Sequence, residues 1–594
     1  MLNNKHNPIS YSSPFISSLS TKKKKKHKFF SKKNKMNDHQ EHIVILPFLA
    51  LGHMIPFIAL AKKIQEKTNY KITIVSTPLN VKYLSSTIAK DSINSNNISL
   101  VSLPYNSIEH GLPPNTENTE ALPLKHMVTI FNSTLSLKEP LKRLILEIIE
   151  KDGKPPLCIV SDTFMGFASE VARSCGTFNV SFTTSGAYGT AAYVSIWLNL
   201  PHLLAIDGVF KMPGFDDSCC FFSVEQLHTF MKLANGDDPW SKVLKSLLLP
   251  SFDSIGFLCN SVEDIEPMGV KAIKNLTELP VWCIGPLLPQ CMLKKCEKDS
   301  IFESRSGKDS IFESRNGKDS RFESRSGKDP IFESRNGKDS IFESRNGKDS
   351  IFESRSDKDS IFESRIGKEH GLSPEECISW LNEHPERSVL YISFGSQNTI
   401  STSQMMALAM GLEESERPFI WVIRPPIGFD IKGEFRSEWL PKGFQERVSK
   451  SQKGLLVKSW APQLQILSHS STGAFLTHCG WNSALESLSQ GVPIISWPLA
   501  GEQAFNSKML MEEMGVCVEL TKWYSSDVDK EDVKKVVEIV LGESGKGREM
   551  KEKANKIGMC IRDAVKEEGD FKGSSVKALD DFISTLLYRR NMSS

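Results

Sequence analysis

Cysteine pairs at metal-binding spacing are missing from this sequence. Its 12 Cys include no C-x-x-C, and the one adjacent pair, Cys219 and Cys220, cannot chelate a metal without partners. Twelve Cys in 594 residues are too few for a disulfide scaffold, so reduced thiols in a cytoplasmic protein are expected. No unbroken apolar stretch reaches the ~20 residues of a membrane-spanning helix. The longest apolar region, residues 43–61, is interrupted by Pro47, Gly52, His53 and Pro56. The basic stretch before it resembles the start of a signal anchor, but Asp38 and Glu41 intervene. Acidic residues and Arg are absent from residues 1–36, where Lys occurs ten times. The net charge of +2 therefore combines a tail of +10 with a body of −8, which argues against a nucleic-acid-binding body. The tail reads as a disordered extension ahead of a start at Met36. An organelle transit peptide is the alternative, weakened by the missing Arg.

What is present begins with a repeat. Over residues 298–367 a ten-residue unit close to K-D-S-I-F-E-S-R-N/S-G recurs seven times. Two apolar residues in ten bury too little surface to offset the entropy of ordering. A flexible linker expansion is expected, with a short β-solenoid or binding array as the sharper alternative. Without tail and repeat about 489 residues remain, enough for two domains.

In the N-terminal half, residues 42–48 form an apolar run suited to a buried parallel strand. A Gly-containing turn at 49–53 and a helix at 54–67 follow. Strands are expected at 71–76, 157–161 and 180–183, with a helix at 164–174. Strands alternating with helices predict a parallel α/β sheet. Ligands bind beyond the carboxyl ends of such strands, where His53 and Asp162 fall. An imidazole can take a proton from a hydroxyl and a carboxylate can stabilise the resulting cation, although a lone His in a turn is more often structural.

The C-terminal half repeats the pattern, with strands expected at 388–394, 419–424, 455–458, 474–477 and 492–497. The loops after them gather at one sheet edge. Trp460 offers a face for a base. Asn482 and Ser483 stand at a helix start that favours phosphate, with His478 beside them. Glu486 can accept from ribose, and Glu502 and Gln503 suit a sugar. Together they describe a nucleotide diphosphate-sugar pocket, though each alone is commonly structural. Asp527 and Asp529 form a D-x-D, a metal motif elsewhere. Here they open an expected helix at 526–540, where Asp is favoured by capping and the dipole.

Residues 460–503, WAPQLQILSHSSTGAFLTHCGWNSALESLSQGVPIISWPLAGEQ, resemble the 44-residue signature box of plant UDP-dependent glycosyltransferases. Residues 378–396, ISWLNEHPERSVLYISFGS, are similar to that family's entry into its C-terminal domain, and ILPFLALGHMIPFIALA to its first strand, turn and helix. The resemblance implies the α/β GT-B fold: two facing Rossmann-like domains with a central cleft. It covers residues 42–290 and 368–588 and implies an acceptor-binding domain at 42–290 and a UDP-sugar-binding domain at 371–594, with a return of the last helix to the first domain left open; the basic extension at 1–41 and the linker with the repeats at 291–370 lie outside it.

By the same resemblance Trp460 stacks uracil, the Ala461 backbone bonds it, and Gln463 and Glu486 hold ribose. Ser396, His478, Asn482 and Ser483 hold the diphosphate, and Trp481, Glu502 and Gln503 hold the sugar. Trp481 with Gln503 points to glucose. His53 and Asp162 (in IVSDTF) match the family's base and its partner. The implied reaction is one inverting displacement from UDP-glucose onto a small lipophilic acceptor such as a flavonoid or terpenoid. No cofactor or metal, no nucleic acid, no stable membrane insertion and a monomer are expected. A UDP-sugar-binding protein without turnover, and a scaffold acting through the repeat, remain open beside it. The sequence departs from the family pattern at Gly501, where many members carry Ala or another small residue. It departs again in the repeat, placed where the interdomain linker begins.

Overall fold

Apolar and β-branched runs bounded by turns build two sets of strands in the computed structural model. It describes residues 40–88, 97–120, 122–216, 220–293, 372–458, 460–521, 527–543 and 545–593. The basic tail before residue 40, Cys219 and the decapeptide repeat lie outside the described residues.

The first set is β1 (His42–Leu46), β2 (Lys71–Ser76), β3 (Ile98–Ser102), β4 (Cys158–Asp162) and β5 (Phe178–Thr183). A small antiparallel hairpin, β6 (Val209–Lys211) with β7 (Phe221–Ser223), stands apart, and β8 (Phe257–Cys259) and β9 (Val281–Cys283) complete the set. The seven-stranded sheet has the order β3-β2-β1-β4-β5-β8-β9, and its pairs are parallel. The second set is β10 (Val389–Ser393), β11 (Phe419–Ile423), β12 (Gly454–Lys458), β13 (Thr472–Thr477), β14 (Ile494–Ser496) and β15 (Cys517–Glu519). It forms a parallel six-stranded sheet in the order β12-β11-β10-β13-β14-β15. The central strands are buried along their whole length, which explains their unbroken apolar runs.

Each sheet has one point where the chain reverses its direction of growth. In the first it falls between β1 and β4, in the second between β10 and β13. The loops leaving such neighbours diverge and open a crevice at the carboxyl edge. The two crevices supply the site described below.

Several expected boundaries shift. The turn expected at 49–53 is largely helix: the helix runs Leu51–Thr68, and His53 lies in its first turn. The Ala50 carbonyl starts it by accepting from His53 N at 3.0 Å and Met54 N at 2.9 Å, so no side-chain cap is needed. The helix expected from 526 starts at Lys530, because the Asp529 carboxylate accepts from Asp532 N at 2.9 Å and caps it. Strands β3, β8, β9 and β15 were not anticipated. Three of these are only three residues long, too short for a periodicity signal.

The final helix, Ser574–Ser593, packs on the first sheet. Leu579, Phe582 and Leu586 are buried in the cluster that contains Ile43 and Ile45. The Trp282 indole donates to Asp581 Oδ2 at 2.7 Å, and its ring lies 5.4 Å from Phe582. Among the described residues no helix is long and apolar enough to cross a membrane. Asp581→Ala leaves the Trp282 N–H unpaired and is expected to cost about 1–3 kcal/mol, read as a lower melting temperature. An unchanged melt would show that the apolar face alone holds this helix.

Candidate active site

Position in the fold brings the two candidate proton-transfer residues together. β4 ends at Asp162, and the helix after β1 opens with His53 in its first turn. β1 and β4 are neighbours in register, with Leu46 opposite Ser161, so residues 109 apart in sequence meet across one crevice. His53 Nδ1 lies 2.7 Å from Asp162 Oδ2. Asp162 Oδ1 accepts from Phe164 N at 3.0 Å, which fixes the carboxylate's orientation. Asp162 is 1% exposed and His53 26%. A carboxylate beside Nδ1 places the imidazole proton there and leaves the Nε2 lone pair as acceptor. Thr184 Oγ1 stands 3.3 Å from the same Nδ1, and the rings of Phe48 and Phe164 lie 5.4 and 5.8 Å from the imidazole.

Desolvation lowers the His53 pKa, but the charge and hydrogen bond of Asp162, with the charge of Glu502, outweigh it and raise the value above 6.5. Glu502 belongs to the other half of the chain. Its Oε1 accepts from Ser185 Oγ at 3.1 Å.

One cavity of about 340 Å³ is lined from both sheets. His53, Asp162, Ser396, Trp460, His478, Trp481, Asn482, Ser483, Glu486, Glu502 and Gln503 all line it. The other two candidates, Ala461 and Gln463, are buried outside that lining. Gln463 stands behind it: Nε2 donates to Ser483 Oγ at 3.1 Å and Glu486 Oε2 at 2.5 Å, while Tyr391 OH donates to Oε1 at 3.3 Å.

Other side chains face partners that the sequence did not reveal. The Trp481 indole is buried and donates to the Asn260 carbonyl at 2.7 Å, across to the first half. Gln503 Oε1 accepts from Leu499 N and Ala500 N, both at 2.8 Å, so its amide N–H groups are the part left for a ligand. The Arg424 guanidinium lies 5.7 Å from the Trp460 ring centroid. Glu266 accepts from Ala187 N and Tyr188 N at 3.0 Å each at the start of the helix Ala187–Asn199. Burial pushes its pKa up to about 7 against those bonds and one from Ser261. Asn260, Ser185, Arg424 and Glu266 escaped sequence reasoning because their partners come from distant segments.

Backbone shape holds His478. Gly395 has φ +76°, and a Cβ there would sit 2.6 Å from the His478 ring. A Cβ on Gly480 would lie 2.5 Å from His478 Nε2. Cys479, between His478 and Gly480, adopts φ 61°, a strained value for a residue with a side chain. Asn506 Nδ2 donates to its carbonyl at 3.0 Å, which helps hold the turn. The turn leads into the helix Trp481–Ser489, whose free N–H groups suit an anion.

Aromatic rings form the opposite end. Phe131, Phe164, Tyr193, Trp197, Phe230 and Trp240 all line the cavity, with Phe230 and Trp197 stacked on Trp240 at 5.3 and 6.3 Å.

Comparison with known proteins gives the family of the chain. The family model described as UDP-glucoronosyl and UDP-glucosyl transferase matches residues 363–555. UDP-glycosyltransferase 92A1 of Arabidopsis thaliana is 34% identical over 556 residues, 92% of this chain and 97% of its own. The chain belongs to the plant UDP-glycosyltransferase family. It is thus an enzyme that transfers a sugar from a UDP-sugar. Crocetin glucosyltransferase 3 of Crocus sativus is 36% identical over 536 residues, 87% of this chain and 94% of its own. The crystal structure of Glycyrrhiza uralensis UGT73P12, bound to glycyrrhetinic acid 3-O-monoglucuronide, shares the fold with a TM-score of 0.68 at 23% identity, covering 93% of this chain and 97% of its own. The transferase therefore has the GT-B fold expected from its sequence. Among its described residues, no three His, Cys, Asp or Glu side chains converge on a common metal position.

Gly395→Ala adds a Cβ at positive φ against the His478 ring. A loss of about 1–3 kcal/mol is expected, measured by thermal denaturation, together with weaker UDP binding by calorimetry. Wild-type values in both would show that the loop adjusts freely.

Proposed function

We propose that the transferase moves glucose from UDP-glucose to a hydroxyl or carboxyl group of a small lipophilic metabolite, such as a flavonoid or terpenoid, with inversion. The observation that carries this reading is the His53–Asp162 pair at 2.7 Å, placed in the same cavity as the 460–503 segment. His53 Nε2 takes the acceptor proton as the acceptor oxygen attacks the anomeric carbon and the bond to UDP breaks. Asp162 stabilises the imidazolium. Charge growing on the departing diphosphate is met by His478, Ser396, Ser483 and the helix start at Asn482. Trp460 carries the uracil, with the Ala461 backbone beside it. Glu486 takes the ribose, braced by Gln463. Glu502, Gln503 and the Trp481 backbone take the sugar. The Gln503 amide, with its oxygen already occupied, donates to a sugar hydroxyl. The name of the Crocus sativus relative supports glucose as the sugar, and the aromatic wall supports an apolar acceptor. Residues 42–290 then serve the acceptor and 371–594 the donor, and no step calls on a metal.

His53→Ala is expected to lower kcat by about 10²–10⁴-fold while UDP-glucose still binds in calorimetry; turnover near wild type would sink the general-base role. The neutral imidazole is the active base, and its pKa is raised above 6.5. The transfer rate should therefore climb as pH rises through that raised value. In Asp162→Asn the main raising influence is gone, so the midpoint of the pH–rate profile should move to lower pH as kcat falls. A profile identical to wild type would show that Asp162 does not tune His53.

A further inference from the structure

The helix Leu51–Thr68 contains Pro56 four residues after Gly52. Proline has no N–H, so the Gly52 carbonyl is denied its ordinary partner in the next turn. Asn482 Nδ2, from the other half, donates to that carbonyl at 2.9 Å. Asn482 Oδ1 accepts from Asn260 Nδ2 at 3.3 Å, and Asn260 Oδ1 accepts from Leu287 N at 2.9 Å. The orientation of both amides follows from the ends of this chain. A carbonyl can only accept and a backbone N–H can only donate, so the bonds run in one direction from Leu287 to Gly52. The Trp481 indole, bonded to the Asn260 carbonyl at 2.7 Å, anchors the middle. Asn260 is 3% exposed, so breaking the chain leaves a buried amide without its partner.

We propose that Asn260 and Asn482 form a directed amide relay that fixes the helix carrying His53 against the donor half, which makes Asn260 a positioning residue for transfer. Gly52, where the relay ends, is the residue before His53. The relay therefore sets the distance between the base and a sugar held by the second sheet. It also divides the work of Asn482. The side chain joins the two halves, and the backbone N–H at the helix start is the group that meets phosphate. The proposal rests on His53 being the base.

The test is a double-mutant cycle in the full chain with Asn260→Ala and Asn482→Ala. It is read as kcat for transfer from UDP-glucose and, separately, as UDP affinity by calorimetry. Asn260→Ala is expected to lower kcat about tenfold and to change UDP affinity by less than about twofold, with the double variant no slower than Asn482→Ala alone. Losses that multiply, or a loss confined to UDP affinity, would overturn the relay. Should Asn260→Ala fail to fold, Pro56→Ala replaces it. That change favours the helix but sets an N–H on the Gly52 carbonyl in competition with Asn482. A melting temperature no lower than wild type with a kcat several-fold lower is expected, and an unchanged kcat would count against the relay. His53→Ala tests the base and the cycle tests the relay, so the two readings can fail separately.

Discussion

The indole of Trp481 occupies the junction on which the cleft depends. Its helix begins at the carboxyl edge of the second sheet, yet the ring is buried among residues of the first, and its N–H ends on the Asn260 carbonyl. Leu485, Leu488, Phe505 and Met509 join the same cluster, against Tyr188, Val262 and Ile265. Burial of this size is non-directional and would permit the sheets to slide. A single buried hydrogen bond of defined geometry picks one alignment, because any other leaves a polar group dry and unpaired. With that alignment the two points of chain reversal face each other, and the loops leaving them share one cavity.

Within the cavity the electrostatic parts depend unequally on the alignment. His53 and Asp162 both belong to the first sheet, so their 2.7 Å contact is a property of one domain. Glu502 comes from the second sheet and adds its field to the same imidazole only when the halves meet. The His53–Asp162 pair is thus assembled by local folding, and the basicity of His53 is adjusted by association of the halves. The His478 turn is likewise local. It is shaped by two glycines and one strained cysteine of the second half.

Sequence reading reached the parts of this design that are written contiguously. The 460–503 segment carries most of the second half's share of the cavity lining on one stretch of chain, and its strand, turn and helix are short-range features. His53 and Asp162 were legible because each follows an apolar run at a strand end. The helix boundary at Leu51 was missed because Gly52 argues against helix locally, while Ala50 starts it through backbone bonds alone. Asn260 was invisible for a different reason. Its partners Trp481 and Asn482 are 221 and 222 residues away, and nothing near it in sequence marks it. The same holds for Ser185, 317 residues from Glu502. The GT-B architecture was recoverable from alternating strands and a known motif, whereas the seam between its halves is a product of tertiary packing.

The chain passes between the two sheets twice. It leaves the first sheet after β9 and enters the second before β10, and it returns after the helix Lys546–Ala564 to lay its last helix on β9. The first passage contains the decapeptide array, while the second is only residues 565–573. Two bodies joined at two places are governed by the shorter tether. Lengthening the first passage changes closure entropy only logarithmically, and it leaves the second attachment as it was. Sequence added between β9 and β10 therefore leaves the short attachment at residues 565–573 as the tighter restraint on the two sheets.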